Sequence, residues 1–495
     1  MSSHVRPSLS LLGSDLKQMI VEESFQLLET VGMLIEEPEA GTLLRAHGCT
    51  EDGSTGRMLI PRALVETALA SAPPSFRLFS VGGEKSWTVG ERDVHYDPGS
   101  AALKIFDPIL REEREARTAD LVRFHGLVER LEHLHFQSTG LVSSDVPGAI
   151  QDSYRLFIAL QFCDKPVITG LFSEEGFAPM REMLAALRGG DRELRARPLA
   201  IFDACPSAPL RWSRLTTRSV IECARAWIPS EFIAVPLAGA TGPVTLAGSL
   251  VQHAAENLAG ITIAQIVQPG CPVVFGGSPA IFDMRAGNTP LGAIESVMLN
   301  AGHAEIGQSL GLPTHAYMGL SDAKSPDAQA GLEAGAGILL AALTGVNVVS
   351  GAGMLDFESC QSLEKLVIDN DACGMAYRLL EGITPRGTPL ALDVVREVGH
   401  QSGFLDHPHT RQWYRAEQSL PRLLDRGTYD AWVAAGKQEM PERASTRVRA
   451  LLEGGPVPLL DPARRGMLRT IMTDRARAVG AGPLPFHDPD AESLR

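Results

Sequence analysis

The chain has 495 residues, of which 44% are hydrophobic and 21% are charged, a composition typical of globular proteins. Its formal net charge is -14, and the sequence contains no long cluster of lysines and arginines. This acidic balance argues against a nucleic-acid partner, because binding to phosphates requires a basic surface. The length exceeds that of most single domains, although α/β barrels with insertions reach it.

The seven cysteines are scattered through apolar segments and form no CxxC pair, which favours buried free thiols in a reducing compartment. The N-terminal stretch lacks the basic region, apolar core and cleavage site of a signal peptide. The most apolar segment, AGAGILLAALTGVNVVSGAG, is interrupted by Gly, Thr and Asn, so it predicts a buried helix and strand and not a membrane span. We therefore expect a cytoplasmic protein with no membrane partner.

Residues 1–90 are predicted to form a helical region that packs on the rest of the fold. The segment DLKQMIVEESFQLLETVGMLI spaces its apolar residues as on one face of a helix. The segment IPRALVETALASAPPSF begins with Pro61 near a helix start and ends at Pro73 and Pro74, where a helix stops. The pattern predicts amphipathic helices from about residue 12 to about residue 80.

Short apolar runs alternate with amphipathic segments between residues 91 and 385, which predicts repeated βα units. The eight predicted strands are VHYDPGSAALKIFD, HLHFQSTGLV, PVITGLF, PLAIFDA, FIAVPLAGA, PVVFGGS, PTHAYMGLSD and VNVVSGAG. Nearly continuous apolar strands are typical of a parallel sheet buried on both faces. Eight units favour a (β/α)8 TIM barrel, and the absence of GxGxxG after the first strand weakens the dinucleotide-binding alternative. Residues 386–495 are predicted to form a C-terminal helical extension that ends in a loosely held polar tail.

In a barrel of this kind, functional residues lie at the carboxyl ends of the strands. The densest polar group there is SDAKSPDAQAG, which follows the seventh predicted strand. Asp327 fits the N-cap of the next helix, whereas Asp322 and Lys324 have no evident capping role and are the leading catalytic candidates. Lys324 is a candidate to pair with a carboxylate, to anchor a substrate carboxylate or to form a Schiff base.

The other strand ends supply candidates for binding a substrate and a cofactor. Glycine recurs there, which suits either a large flat ligand close to the backbone or ordinary turns between strand and helix. The substrate-binding candidates are Tyr96, Asp203, Arg285, Tyr317, Gln329 and Ser350. The candidates for a cofactor surface are Gly239, Thr241, Gly276, Gly277, Ser278 and Gly351. The sequence has no HExxH, and its histidines are widely spread, so no tightly bound metal is predicted.

Several motifs, taken in order, resemble one protein family. They are LLETVGMLIEEPEAGTLLRAHGC, SAPLRWS, PLAGATGPVTLAGSL, GLSDAKSPDAQAG, LEKLVIDND and FLDHPHTRQWYRAEQSLPRLLDRGTYDAW. These stretches, between about residues 15 and 455, are similar to the trimethylamine methyltransferase family. The chain resembles the pyrrolysine-free branch, which includes glycine betaine methyltransferase. The resemblance implies a (β/α)8 barrel that moves a methyl group from a methylated amine to the Co(I) of a separate corrinoid protein.

The chain departs from the family at two points. It contains no pyrrolysine, the residue that the trimethylamine enzymes use, so the resemblance implies a quaternary amine or betaine and not trimethylamine. Many pyrrolysine-free members carry a histidine in the eighth strand, where this chain has Ser350 and Gly351. A substrate other than glycine betaine therefore stays open.

The resemblance also assigns roles to the candidates. A quaternary nitrogen leaves as a neutral amine and needs no general acid, so the site has to hold a cation in line with cobalt and exclude water. Asp322 is then the leading partner of the cation. Tyr317 and Tyr96 are candidate aromatic walls. Lys324 or Arg285 would anchor a substrate carboxylate, as a betaine requires.

Two other functions stay open at this point. One is a Schiff-base aldolase or lyase that uses Lys324, and the other is a corrinoid or small-molecule binder without transferase activity. The implied partners are a corrinoid protein, which supplies the cobalamin cofactor, and a small methylated amine or betaine. The hydrophobic composition of a chain of this size also favours a homo-oligomer.

Overall fold

The structure, a computed structural model, describes residues 5–400 and 403–486. The elements before residue 91 are α1 (Ser14–Thr30), β1 (Leu34–Ile35), α2 (Pro38–Ala46), β2 (Thr50–Glu51), β3 (Met58–Leu59), α3 (Arg62–Ser71), β4 (Ser75–Phe79) and β5 (Ser86–Gly90). The predicted helices are present, but the region is not helical throughout, since β2 pairs with β3 and β4 with β5 in antiparallel hairpins. The connecting segments, EDGSTG and SVGGEK, are rich in Gly, Ser, Thr and Asp, which favour turns over helix.

Each of the eight predicted strand segments contains a strand. The strands after residue 90 are β6 (His95–Pro98), β7 (Lys104–Asp107), β8 (Glu112–Glu115), β9 (Gln137–Ser138), β10 (Val167–Gly170), β11 (Ala200–Ala204), β12 (Arg211–Trp212), β13 (Ser230–Ala234), β14 (Leu237–Ala238), β15 (Val273–Gly277), β16 (Ala280–Ile281), β17 (His315–Tyr317), β18 (Val348–Ala352), β19 (Met354–Leu355) and β20 (Cys360–Gln361). The first predicted segment was too long, because strand β6 ends at Pro98. Its second half is β7, which pairs with β8 and β20 in a separate sheet.

Helices follow these strands along the chain. They are α4 (Thr118–Glu129), α5 (Gln151–Phe162), α6 (Phe177–Arg188), α7 (Asp191–Ala196), α8 (Arg214–Ala226), α9 (Leu246–Val267), α10 (Ile294–Ser309), α11 (Ala328–Thr344) and α12 (Leu363–Leu380). Asp327 caps α11 as predicted, because its side chain accepts the Ala330 N–H at 3.1 Å. Most of α9 is buried, since α1, α2 and α3 pack on it from one side and β13 and β15 from the other.

Two parallel sheets carry the eight predicted strands. One has the order β9–β10–β11–β13–β15 and the other the order β17–β18–β6. Backbone hydrogen bonds join their edges: the Phe275 N–H donates to the Pro313 carbonyl at 2.8 Å, and the His135 N–H donates to the Tyr96 carbonyl at 3.0 Å. Each edge of one sheet therefore has a hydrogen-bonded neighbour in the other, so the strands form an α/β fold around a common interior.

One face of these strands, here called the inner face, carries an apolar layer near the strand starts. The layer is a single buried cluster that contains Phe136, Ile168, Ile201, Val274 and Val348. The hairpin of β4 and β5 covers this layer with Leu78 and Val89. The hairpin is fixed there because the Phe79 N–H donates to the Pro198 carbonyl, just before β11, at 2.8 Å. The starts of the strands are thereby covered by apolar side chains.

The described part of the C-terminal region contains helices. Its helices are α13 (Leu392–Val398), α14 (Pro408–Glu417), α15 (Tyr429–Ala434), α16 (Met440–Leu451) and α17 (Pro462–Ala478). Of these, α16 packs against α12, and α17 packs against α5 and α6. The last part of the predicted polar tail, residues 487–495, lies outside the described residues. No helix in the described ranges is both long and apolar enough to cross a bilayer.

Candidate active site

The layer of the inner face above the apolar cluster is polar. Because side chains alternate along a strand, residues two positions beyond the apolar layer point to the same side. This step leads to Ser138, Gly170, Asp203, Gly276 and Ser350. Contacts to these residues add Asp97, Glu231 and His315 from β6, β13 and β17. All eight strands thus contribute one residue to what we call the polar layer.

A line of polar side chains crosses this layer. The Ser350 hydroxyl donates to the Asp97 carboxylate, whose two oxygens lie 2.9 and 2.8 Å from Oγ. Nε2 of His315 lies 2.9 Å from the same hydroxyl, so the imidazole shares a hydrogen bond with Ser350. The same Nε2 is 3.9 Å from Oε1 of Glu231, the register neighbour of Asp203 on the adjacent strand. Five strands therefore bring their polar groups into one connected set.

Burial disfavours the ionised form of the carboxyl groups in this region. It raises the pKa of Asp97 well above the usual range, with contributions from Asp203 and Glu358. It also raises the pKa of Asp203 to about 6, although the positive charge of Arg155 partly opposes the shift. The pKa of Glu231 is raised well above its usual range by burial and by the charge of Asp203. The pKa of Glu358, on the loop between β19 and β20, is raised to about 8 by burial and by Asp203.

The basic groups of the region behave differently from one another. Burial lowers the pKa of His315 to about 3, so this imidazole is neutral at ordinary pH. Arg155, on α5, is also buried, which lowers its pKa to about 10 and leaves it cationic. Its guanidinium lies 4.3 Å from the centre of the Phe172 ring and donates to the Thr139 carbonyl at 3.2 Å. Its Nε has no hydrogen-bond partner among the described residues, so it can still donate to a ligand.

An internal space reaches these groups. Asp203, Cys205 and Glu358 retain accessible surface, although burial dominates the pKa of each one. We infer that these residues line an internal space at the carboxyl ends of the strands. Tyr317 adds an aromatic wall, with its ring centre 5.0 Å from that of His315, and Phe172 is 46% exposed. The site thus combines several carboxyl groups, two aromatic faces and one guanidinium.

Several of the predicted residues lie in this region. Asp203, Ser350 and Gly276 belong to the polar layer, and Tyr317 lies directly beyond His315 on the same face. An alanine at position 276 would place its Cβ 3.1 Å from the His315 side chain, so glycine leaves room for the imidazole. Their roles in binding a substrate or a cofactor remain predictions.

Three predicted substrate-binding residues lie elsewhere. Tyr96 points to the opposite face of its strand, where its hydroxyl donates to the Ile338 carbonyl at 2.9 Å. The Arg285 side chain is 93% exposed and pairs with Asp283, which turns it away from the interior. Gln329 lies on the exposed side of α11 and donates to Glu333 at 2.9 Å. We therefore remove these three residues from the candidate site.

The two leading catalytic candidates have structural partners. Contrary to the expectation from sequence, Asp322 has a structural role: its carboxylate accepts the N–H groups of Leu291 and Gly292, at 3.0 and 2.9 Å, just before α10. Lys324 donates to the Asp322 carbonyl at 2.6 Å and lies 3.1 Å from Oδ1 of Asp356. These contacts keep the Lys324 ammonium engaged as a cation, which does not favour the Schiff-base alternative.

The glycines predicted to form a cofactor surface have neighbours within the chain. A Cβ at Gly277 would point away from the inner face and come 2.1 Å from Nε2 of His253. Gly351 has φ +116, and a Cβ there would come 2.9 Å from the Leu320 amide nitrogen. Close packing against protein atoms therefore accounts for both glycines.

The remaining predicted cofactor residues lie in turns and backbone contacts. Gly239 has φ +97 in the turn after β14, where the Thr241 hydroxyl accepts the Leu237 N–H at 2.9 Å. The Ser278 N–H donates to the Ala234 carbonyl at 3.1 Å. These contacts favour the interpretation as ordinary turns over that of a flat floor for a ligand. A contact of these residues with a cofactor remains a prediction.

Sequence reasoning missed five residues of the site. Asp97 is adjacent to Tyr96, and the two side chains point to opposite faces of β6. Tyr96 was chosen because the sequence does not show which of the two faces the interior. Glu231 is the acid inside the apolar segment SEFIAVP, which is a usable signal because isolated acids are rarely buried. His315 is one of the widely spread histidines, from which no site is predicted. Arg155 lies on a helix and Glu358 lies on a loop, so a search for polar residues at strand ends could not find them.

Known proteins resemble the chain over almost its whole length. The pattern of the family described as trimethylamine methyltransferase (MTTB) matches residues 2–480. A trimethylamine methyltransferase of Desulfitobacterium hafniense (strain DSM 10664 / DCB-2) is 31% identical over 430 residues, which are 87% of this chain and 86% of the relative. A glycine betaine methyltransferase of Desulfitobacterium hafniense (strain Y51) is 30% identical over 476 residues, which are 96% of this chain and 98% of the relative.

A solved structure shows a weaker likeness. The monomethylamine methyltransferase of Methanosarcina barkeri aligns with a TM-score of 0.49 and 14% identity, over 91% of this chain and 96% of that chain. This likeness is too low to bear on the fold. The sequence comparisons confirm the family predicted from the motifs. The chain is therefore a methyltransferase that belongs to the trimethylamine methyltransferase family.

Proposed function

We propose that the chain transfers a methyl group from a betaine-type quaternary amine to the cobalt of a partner corrinoid protein. Membership of the family supports the reaction class. The observation that carries the substrate class is a cluster of four carboxyl groups, those of Asp97, Asp203, Glu231 and Glu358, of which Asp203 and Glu358 retain surface accessible from the internal space. A permanent cation in this space gains favourable interactions with the carboxylates, whereas an anion there is repelled.

A quaternary ammonium group suits this arrangement better than a protonated amine. It has no N–H to donate, so it is held by negative charge and by the faces of aromatic rings. Tyr317 and Phe172 supply such rings beside the carboxyl groups. A protonated amine would seek directed hydrogen bonds, and the polar layer already uses the Asp97 carboxylate in one with Ser350.

Arg155 is the proposed anchor for the carboxylate of a betaine. It acts electrostatically on Asp203 and Tyr317, so it lies close to the cation site. Its guanidinium is buried and retains donor capacity, and Arg suits bidentate binding of a carboxylate. This role replaces the one expected for Lys324 and Arg285, whose ammonium and guanidinium pair with acids outside the polar layer.

The residues of the chain bind and orient the substrate and do not have to move a proton. The Co(I) of the bound corrinoid supplies the nucleophile. The departing amine is neutral, so it requires no general acid. Because the positive charge on nitrogen disappears during transfer, the carboxylates stabilise the bound substrate more than the transition state. Their contribution to rate is therefore orientation of the methyl group, together with exclusion of water.

The eight strands are proposed to form a closed (β/α)8 barrel. The hydrogen bonds that join the two sheets and the shared apolar layer support closure. The carboxyl ends of the strands would then form one open end, where side chains exposed to solvent include Phe172, Val244, Met284 and Ile294. Such an apolar rim fits a surface that meets a corrin ring and its carrier protein. Assembly into a homo-oligomer remains a prediction.

The reaction is tested with Co(I) cobalamin and a panel of amines, followed by the change in corrinoid absorbance. Glycine betaine should methylate cobalt faster than trimethylamine does. The variant Asp203→Asn should lower the rate, whereas Asp283→Asn, an acid outside the polar layer, is the matched control and should not. Binding of glycine betaine without any methyl transfer would favour the binding-protein alternative, and a preference for trimethylamine would refute the proposed substrate class.

A further inference from the structure

The loop between β19 and β20 contains an unusual backbone conformation. Asp356, Phe357 and Glu358 are consecutive residues with φ values of +48, +52 and +70. Left-handed conformation is unfavourable for residues with a side chain, and it normally occurs at single positions. A run of three requires that surrounding contacts hold it in place, and backbone strain of this kind clusters at functional sites.

Lys324 supplies part of that hold. Its Nζ lies 3.1 Å from Oδ1 of Asp356 and 3.9 Å from the centre of the Phe357 ring, and it donates to the Asp322 carbonyl at 2.6 Å. The Asp356 N–H also donates to the Ala323 carbonyl at 2.9 Å. One ammonium group thus ties the turn to the loop that follows β17, through an ion pair, a cation–π contact and a hydrogen bond.

The turn carries the Glu358 carboxyl to the polar layer. Its Oε1 is buried and has no hydrogen-bond partner within residues 5–400 and 403–486. Its charge contributes to raising the pKa of Tyr317 and that of Asp97, so it lies within electrostatic range of both of them. A buried carboxyl oxygen without a partner is unfavourable in the protein alone, so the group is poised for a ligand.

We propose that Glu358 contacts the cationic group of the substrate and that Lys324 is a positioning residue, which holds the left-handed turn that presents this carboxylate. This inference rests on the proposed function. It adds a substrate-contacting residue from outside the strands, and it gives Lys324 a role in which its amine never touches the substrate. Loss of either residue should therefore weaken recognition of the positive charge specifically.

The test compares two ligands of the same shape with the full-length chain. Glycine betaine carries a quaternary nitrogen, and 3,3-dimethylbutanoate replaces that nitrogen by carbon. Calorimetry at pH 8.5, above the pKa of Glu358 of about 8, gives the ratio of their association constants. Glu358→Gln should lower the ratio about a hundredfold, as expected for loss of one buried charged contact. Lys324→Met should lower it about threefold to tenfold, and Lys324→Arg should restore most of it, since Arg also pairs with a carboxylate and a ring.

Lys85→Met is the matched control, because Lys85 lies in the turn between β4 and β5, pairs with Asp164 at 3.7 Å and is exposed to a similar extent as Lys324. In this control, the ratio of the association constants for glycine betaine and 3,3-dimethylbutanoate should equal that of the unmodified chain. An unchanged ratio in Glu358→Gln would overturn the inference and leave the proposed function standing. Equal weakening of both ligands in Lys324→Met, without rescue by Lys324→Arg, would reduce Lys324 to a general structural role and overturn its part of the inference. Failure of the unmodified chain to bind glycine betaine would overturn the proposed function itself.

Discussion

Binding of glycine betaine should strengthen as the pH rises from 6 to 8. The pKa of Glu358 is raised to about 8 by burial and by Asp203, so at pH 6 about one molecule in a hundred has this group ionised. A cation beside the carboxyl favours its ionised form, so binding at pH 6 has to release a proton. Two pKa units at about 1.36 kcal/mol each amount to about 2.7 kcal/mol of binding free energy lost at pH 6. The association constant should rise about tenfold per pH unit and level off above pH 8.

Calorimetry over pH 6 to 9, in buffers with different ionisation enthalpies, measures both the association constant and the number of protons released. The unmodified chain should release at least one proton on binding near pH 7. Glu358→Gln should release about one proton fewer and show a correspondingly shallower pH dependence. Asp97 and Glu231, whose pKa values are also raised by burial, account for any release that persists. An association constant independent of pH, or an unchanged slope in Glu358→Gln, would refute the reasoning.

Three further predictions concern individual side chains. Gly276→Ala should slow methyl transfer and lower the free energy of unfolding by about 1 kcal/mol, because its Cβ would displace the His315 imidazole, 3.1 Å away. Gly277→Ala should lower the free energy of unfolding by more, about 1–3 kcal/mol, because its Cβ would lie 2.1 Å from Nε2 of His253 on the opposite face. Thermal unfolding and the cobalt assay measure both, and equal effects on rate would argue against a special role for position 276. In calorimetry, Arg155→Met should weaken binding of glycine betaine at least tenfold but should not weaken binding of tetramethylammonium, because removal of a nearby positive charge does not disfavour a bound cation; parallel losses would exclude Arg155 as the carboxylate anchor. Tyr96→Phe should reduce stability by about 1 kcal/mol through its lost hydrogen bond and leave ligand binding intact, and a weakened association constant would return this residue to the site.

The order of strands and helices was accessible from sequence because burial on both faces leaves long apolar runs. All eight predicted segments contain a strand, and Asp327 caps its helix as expected. The family was accessible because several motifs occur in order along the chain. The hairpin of β4 and β5 was not foreseen, since its strands are partly polar and follow a helix whose pattern dominated the prediction.

The site was only partly accessible, for a geometric reason. Asp203 and Ser350 were placed at the correct strand ends, but the choice between Tyr96 and Asp97 depends on which face each one occupies, and an error of one residue reverses it. Glu358 could not be foreseen at all, because no glycine or asparagine marks its left-handed turn. That conformation is fixed by contacts with a loop more than 30 residues earlier in the chain, including Lys324.

The hairpin that covers the starts of the strands has a consequence for turnover. In the proposed closed barrel, Leu78 and Val89 leave the internal space without a route through that end, so the substrate would enter, and the amine would leave, at the carboxyl ends of the strands. The proposed corrinoid partner would present its cobalt to the substrate from the same side. Entry of the amine substrate, docking of the carrier and escape of the demethylated amine then compete for one opening. The steady-state rate should therefore fall when the carrier is in large excess, because a carrier bound too early blocks the next substrate molecule.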